Sequence, residues 1–171
     1  MHYRGAILAK QFQTHPFGPV FDKNSKILIL GSFPSIKSRE MNFFYGHPQN
    51  RFWKVVSCLL CEEEPQSVDE KKAFLLRNRI ALWDSIASCE IENSADNTIE
   101  KVKPNDISII LKNADIKEIF CNGQTSWKYY HKYIEPIVNI KATALPSTSP
   151  ANAAWSIDRL CQAWEIIKEE L

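Results

Sequence analysis

Four consecutive apolar residues, Ile27-Leu28-Ile29-Leu30, run without a break into Gly31-Ser32-Phe33-Pro34-Ser35. A strand with one wet face alternates apolar and polar side chains, so this run predicts a strand covered on both faces, as in a parallel sheet. Gly31 and Pro34 end it, and the carboxyl edge of an open α/β sheet is where ligands bind. An aromatic and amide cluster follows, Phe43-Phe44-Tyr45-Gly46-His47-Pro48-Gln49-Asn50-Arg51-Phe52-Trp53. Together the two segments read as a pocket for a flat ring.

The rest of the chain supplies partners for that strand. Residues 51–60 place Phe52, Val55, Val56, Leu59 and Leu60 at helical core spacing, and residues 70–76 continue as helix after a polar loop. Ile80-Ala81-Leu82-Trp83 predicts a short buried strand leading to Asp84, and Glu118-Ile119-Phe120-Cys121 another, ending in the turn Asn122-Gly123-Gln124-Thr125 and a helix through Tyr133. A last strand is expected at residues 141–145, then one amphipathic helix carrying Ile157, Leu160, Cys161, Trp164, Ile167 and Leu171. Residues 107–111 suggest a further helix, and residues 89–106 read as a polar, turn-like segment. The residues before Lys26 read as an irregular arm whose His15-Pro16-Phe17-Gly18-Pro19 stretch packs its aromatics on the domain. This alternation predicts an α/β fold: a three-layer α/β/α sandwich around a mostly parallel four-stranded sheet, in one domain over residues 1–171.

Composition narrows the function classes. A formal charge of +1 argues against a protein that coats nucleic acid nonspecifically, yet allows a small footprint, with Lys37, Arg39, Arg51 and Lys54 flanking the pocket as candidate phosphate contacts. No apolar run is long enough to span a bilayer, and Met1-His2-Tyr3-Arg4 lacks the apolar core of a signal peptide. The five cysteines show no disulfide framework, which suits a reducing, cytoplasmic setting. Cys58 and Cys61 form a lone CxxC at the end of a helical pattern and read as structural; no metal or cofactor is expected. No GxGxxG or GxxxxGK[ST] pattern marks a nucleotide-phosphate cradle.

Three segments in order carry a more specific resemblance: Gly31-Ser32-Phe33-Pro34-Ser35, His47-Pro48-Gln49-Asn50-Arg51-Phe52-Trp53 and Leu145-Pro146-Ser147-Thr148-Ser149-Pro150. They resemble the motifs of the uracil-DNA glycosylase superfamily, most closely those of the hypoxanthine-DNA (deoxyinosine) glycosylases. The middle segment is also similar to the mismatch-specific uracil-DNA glycosylases. The resemblance implies a monofunctional enzyme that flips a deaminated base out of double-stranded DNA and hydrolyses its bond to deoxyribose, and a monomer is expected because wrapping a duplex lesion needs only one such domain.

Site residues follow from that resemblance and from the chemistry it demands. Gly31, Ser32, Phe33 and Ser35 would hold the base through backbone N–H donors, which also suit a departing anionic base. Tyr45 falls where relatives place the stacking aromatic, with Phe44 in reserve. Many superfamily members carry Asp or Asn, positioning the attacking water, where this chain has Phe33, which cannot polarise water. Asn50 is the expected replacement: its carbonyl oxygen would accept from the water while its NH₂ is fixed by a neighbour, although Asn there also suits a helix cap. Asn122 is expected to bond the flipped base or its phosphate. His47 is a candidate proton donor, and Ser94, Asp96 and Asn97 could close one wall. Ser147, Thr148, Ser149 and Asn152 would meet DNA in the minor groove, with Ser149 where relatives use a leucine wedge. Leu145 replaces a histidine or asparagine used by many relatives, and with Phe33 it argues against efficient uracil removal. The alternatives are a uracil or mismatch-specific uracil glycosylase, and an inactive module that binds damaged DNA.

Overall fold

The structure, a computed structural model, describes residues 9–171; the expectation for Met1 to Arg4 lies outside them. Strands β2 (Ile27–Gly31), β3 (Ile80–Asp84), β6 (Glu118–Asn122) and β7 (Ala142–Leu145) form an all-parallel four-stranded sheet in the order β3-β2-β6-β7. Strand β2 is central, and all five of its residues are buried. Ile27 and Ile29 point to one face, packing with Phe52, Val56, Phe74, Leu160 and Trp164; Leu28 and Leu30 point to the other, with Ile107, Ile110, Tyr130 and Ile134. Each such side chain, fully removed from water, contributes roughly 1.5–3 kcal/mol.

The first face is covered by α2 (Phe52–Leu59), α3 (Val68–Arg77) and α7 (Ile157–Trp164), while α4 (Ser108–Leu111) and α5 (Gln124–Tyr129) supply the second. This is the expected three-layer sandwich. A short helix α1 (Ile36–Met41), capped by the Ser35 hydroxyl accepting from Ser38 N–H, lies between the two segments read as the pocket. Helix α5 runs into a π-helical turn, Tyr130–Ile134, before α6 (Glu135–Val138). The closing helix is shorter than expected, since a 3₁₀ segment, Glu165–Glu170, follows α7.

The main correction concerns residues 89–106 and the amino-terminal arm. Instead of a loop, β4 (Ile86–Ile91) and β5 (Glu100–Pro104) pair antiparallel, and β1 (Gln11–Thr14) pairs with β4, forming a second sheet in the order β1-β4-β5. Register shifts within the β4–β5 pair break the alternation that would have announced a strand, and β5, Glu-Lys-Val-Lys-Pro, is polar apart from its valine and terminal proline. Its extended shape comes from its partner, a tertiary effect that local pattern does not encode. Phe17 does pack on the domain as expected, edge-on to Phe44 at 4.7 Å.

Candidate active site

The carboxyl ends of the four parallel strands open into a cavity of about 1100 Å³. Gly31, Ser32, Phe33, Ser35, Tyr45, Asn50, Asn122, Ser147, Thr148, Ser149 and Asn152, the whole expected set, line it. His47, Ser94, Asp96 and Asn97 line it too.

One wall is a hydrogen-bonded brace. The Asn122 carbonyl oxygen accepts from Thr148 N–H at 3.0 Å, and its NH₂ donates to the Thr148 hydroxyl at 2.9 Å. That hydroxyl donates to the Asn50 carbonyl oxygen at 2.9 Å, which also accepts from Phe52 N–H at 2.9 Å. The backbone donors Thr148 N–H and Phe52 N–H fix the orientation of both amides, because only a carbonyl oxygen can receive them. Arg51 ties the same loop from below, donating to the carbonyls of Ser149 and Asn152 at 3.0 Å each and to that of Trp155.

Three expectations change as a result. Asn50 was to accept from water through its carbonyl, but both lone pairs of that oxygen are taken, so the NH₂ is what it offers the cavity. The helix-cap role holds alongside. Thr148 is fully buried with its hydroxyl engaged on both sides, so it is a brace and not a DNA contact. Arg51 grips loop carbonyls rather than phosphate; Arg39 likewise donates to the Asn93 carbonyl at 2.9 Å. Lys37 lies 3.3 Å from Glu40, and Lys54 stays exposed on α2.

The floor is built around Gly31. A Cβ there would stand 2.3 Å from Asp84 Oδ1 and 3.0 Å from the Tyr45 hydroxyl, so only glycine lets both side chains meet under the strand end. Tyr45 stacks one ring face on Phe52 at 4.2 Å, leaving only its other face for a base. Its backbone is left-handed at φ 52°, and burial, then the Asp84 charge, hold its phenol far above the usual range, so it stays protonated. Phe44 is core, and the His47 Nδ1 accepts from Gln49 N–H at 3.1 Å, which places the ring proton on Nε2. Among the described residues the N–H groups of Phe33 and Ser35 have no protein partner, as base-holding donors require.

Sequence reasoning passed over Asp84, which carries the floor. It is 4% exposed, and its Oδ2 takes a 2.7 Å hydrogen bond from His15 Nε2. The Phe17 N–H reaches His15 Nδ1 at 3.4 Å, so the proton donated to Asp84 sits on Nε2. Among the described residues Asp84 Oδ1 has no protein partner, and Asp84 lines the cavity. The signal was present as Gly31 opposite Asp84 in the β2–β3 register, but that pairing is visible only once the strands are aligned.

The family model described as the uracil DNA glycosylase superfamily matches residues 19–169. The chain belongs to the uracil DNA glycosylase superfamily. Within that superfamily it is 35% identical over 156 residues to a Methanosarcina acetivorans protein named hypoxanthine DNA glycosylase, covering 88% of this chain and 95% of the relative. A Methanosarcina barkeri protein of the same name is 35% identical over 142 residues, covering 80% and 86%. The solution NMR structure of a candidate uracil DNA glycosylase from Methanosarcina acetivorans superposes with a TM-score of 0.77 at 31% identity, covering 92% of this chain and 96% of that one.

Proposed function

We propose that this protein is a monofunctional, single-domain DNA glycosylase that hydrolyses hypoxanthine from double-stranded DNA, acting as a monomer. The relatives named hypoxanthine DNA glycosylase support it across most of the chain. The observation that carries it to the base is Asp84 Oδ1, a buried acceptor with no protein partner among the described residues. Deamination turns adenine N1, an acceptor, into hypoxanthine N1–H, a donor. A carboxylate on the floor accepts from hypoxanthine and repels adenine, so the parent base is refused where the lesion differs from it, while guanine, which shares the N1–H donor, is not separated by this contact.

The other residues divide the remaining work. The free N–H groups of the Phe33–Ser35 turn and the Asn50 NH₂ are fixed donors, suited to an atom that gains negative charge, which is the departing base. Asn122 acts through Thr148 and is a positioning residue. Ser147, Ser149 and Asn152 stand on the loop that would press the DNA backbone, and the small Ser149 suits a base already weakly paired.

Single-turnover base release from duplexes carrying one deoxyinosine, one deoxyuridine or only normal bases tests this. Hypoxanthine release should dominate. In Asp84→Asn, His15 Nε2–H holds the new amide oxygen, so the NH₂ faces the cavity and meets N1–H donor to donor. Hypoxanthine release should fall by about 100-fold, the loss of one charged hydrogen bond plus a mismatch. Full hypoxanthine release in that variant, or preferential uracil release by the wild type, would overturn the assignment.

A further inference from the structure

Two carboxylates face the cavity in different surroundings. Asp84 is on the floor, bound to His15. Asp96 stands on the side wall, on the 3₁₀ turn Asp96–Thr98 that joins β4 to β5, exposed to the cavity. The Ser32 hydroxyl is 3.2 Å from one of its oxygens and 3.1 Å from the other. A hydroxyl has one proton, so it serves one oxygen at a time and leaves the other to the cavity. Among the described residues no lysine or arginine pairs with Asp96.

A purine enters this cavity with its six-membered ring deepest, because N9 carries the sugar and stays at the mouth. With N1–H on Asp84, the imidazole ring and its acceptor nitrogen N7 would stand nearer the mouth, in the cavity that Ser32 and Asp96 line. We propose that Asp96 is the general acid of the reaction, giving its proton to N7 of the flipped purine as the glycosidic bond breaks. This rests on the assignment to hypoxanthine made above.

The C1′–N9 bond breaks with its electron pair moving into the base, while the Asp96 carboxyl proton joins N7, so the base departs neutral. Water adds its oxygen to C1′ and releases one proton, which restores the Asp96 carboxyl. Confinement in the cavity, with the Asp84 charge adding to it and the Ser32 hydrogen bond opposing it, raises the Asp96 carboxyl to about 6. Its other titratable neighbours are Cys89 on β4, Tyr129 on α5 and Tyr45. His47 lines the same cavity, and Arg39 of α1 is held by Asn93 and lies over the Phe33 ring at 5.7 Å. Two cavity carboxyls in such unlike surroundings are the arrangement that separates acid from acceptor.

The test is single-turnover release between pH 5 and 8, scales set by ~10²–10⁴-fold for general acid catalysis, using deoxyinosine and 7-deaza-deoxyinosine duplexes. Wild-type hypoxanthine release should fall as pH rises past about 6. Asp96→Asn keeps the Ser32 hydrogen bond and should lose about 100-fold at the acid end, with the gap narrowing toward alkaline pH. Ser32→Ala should move the falling limb to higher pH, because the bond that favours the carboxylate is gone. On the 7-deaza base, which has no N7 acceptor, wild type and Asp96→Asn should be equally slow. A rate that rises through this range, an unchanged Asp96→Asn, or an equal loss at every pH and on both bases would overturn the acid role. A wild type silent on deoxyinosine would instead bring down the hypoxanthine assignment, and the acid role with it.

Discussion

The two walls of the cavity are built in opposite ways. The wall from β6, β7 and the start of α2 is closed: Asn122, Thr148 and Asn50 satisfy one another, and Arg51 holds the carbonyls of residues 149, 152 and 155. The wall from the antiparallel sheet is open: Asp96 is exposed, and Ser32 to Asp96, Ile36 N–H to Ser94 and Arg39 to Asn93 are the side-chain bonds that join it to the β2–α1 segment. A satisfied polar network fixes geometry but cannot trade protons without breaking itself. An exposed carboxyl can recharge from water between turnovers. The closed wall therefore suits orientation, and the open wall suits proton traffic.

The largest effect expected from this division is at Asn50. Removing a preorganised donor that faces charge developing on the departing base lowers rate by about 10²–10³-fold, and Asn50→Ala should do so by the same factor at every pH between 5 and 8, because an amide does not titrate. A pH-dependent loss in single-turnover release would break the comparison. Next is Arg51→Ala, which leaves several loop carbonyls without their charged donor. At ~1.5–3 kcal/mol for hydrogen bonds to a charged group, a destabilisation of about 2–3 kcal/mol is expected, and at 2–4 °C per kcal/mol a melting temperature lower by roughly 5–10 °C. An unchanged calorimetric midpoint would mean that the Asn122–Thr148–Asn50 bonds, with Trp164 Nε1–H on the Pro146 carbonyl at 2.9 Å, hold the closed wall without Arg51.

The same division explains what was legible in the sequence. The closed wall announces itself locally: a buried strand ending in the turn Asn122-Gly123, an asparagine two residues before a helix begins and a Pro-Ser-Thr-Ser-Pro loop after the last strand. Even there, residue type gave position and not direction, since only Phe52 N–H and the Thr148 hydroxyl show that Asn50 presents nitrogen to the cavity. The open wall is non-local. Strand β5 has almost no apolar pattern of its own, β4 is interrupted by register shifts, and β1 pairs with β4 across about eighty residues of chain. Asp84 was hidden for a related reason: a lone aspartate after a buried strand looks like an ordinary turn residue until His15 and Gly31 are brought against it.

The smallest expected effect is a stability signature of Asp96. Its folded value of about 6 lies above the ~3.9 of an unfolded aspartate, so the native state binds this proton more tightly than the unfolded chain does. The stabilisation is fully present below the unfolded value and is lost as pH rises through about 6. Asp96→Asn has no charge to confine, so it should melt slightly above the wild type at pH 8, with the difference shrinking as pH falls toward 4. Water in the cavity screens the carboxylate, which keeps the shift small. Paired melting curves at those two pH values decide it. A variant less stable than the wild type at pH 8 would show that the charged Asp96–Ser32 contact holds the open wall together, and the contrast between a wall that positions and a wall that moves protons would lose its physical basis.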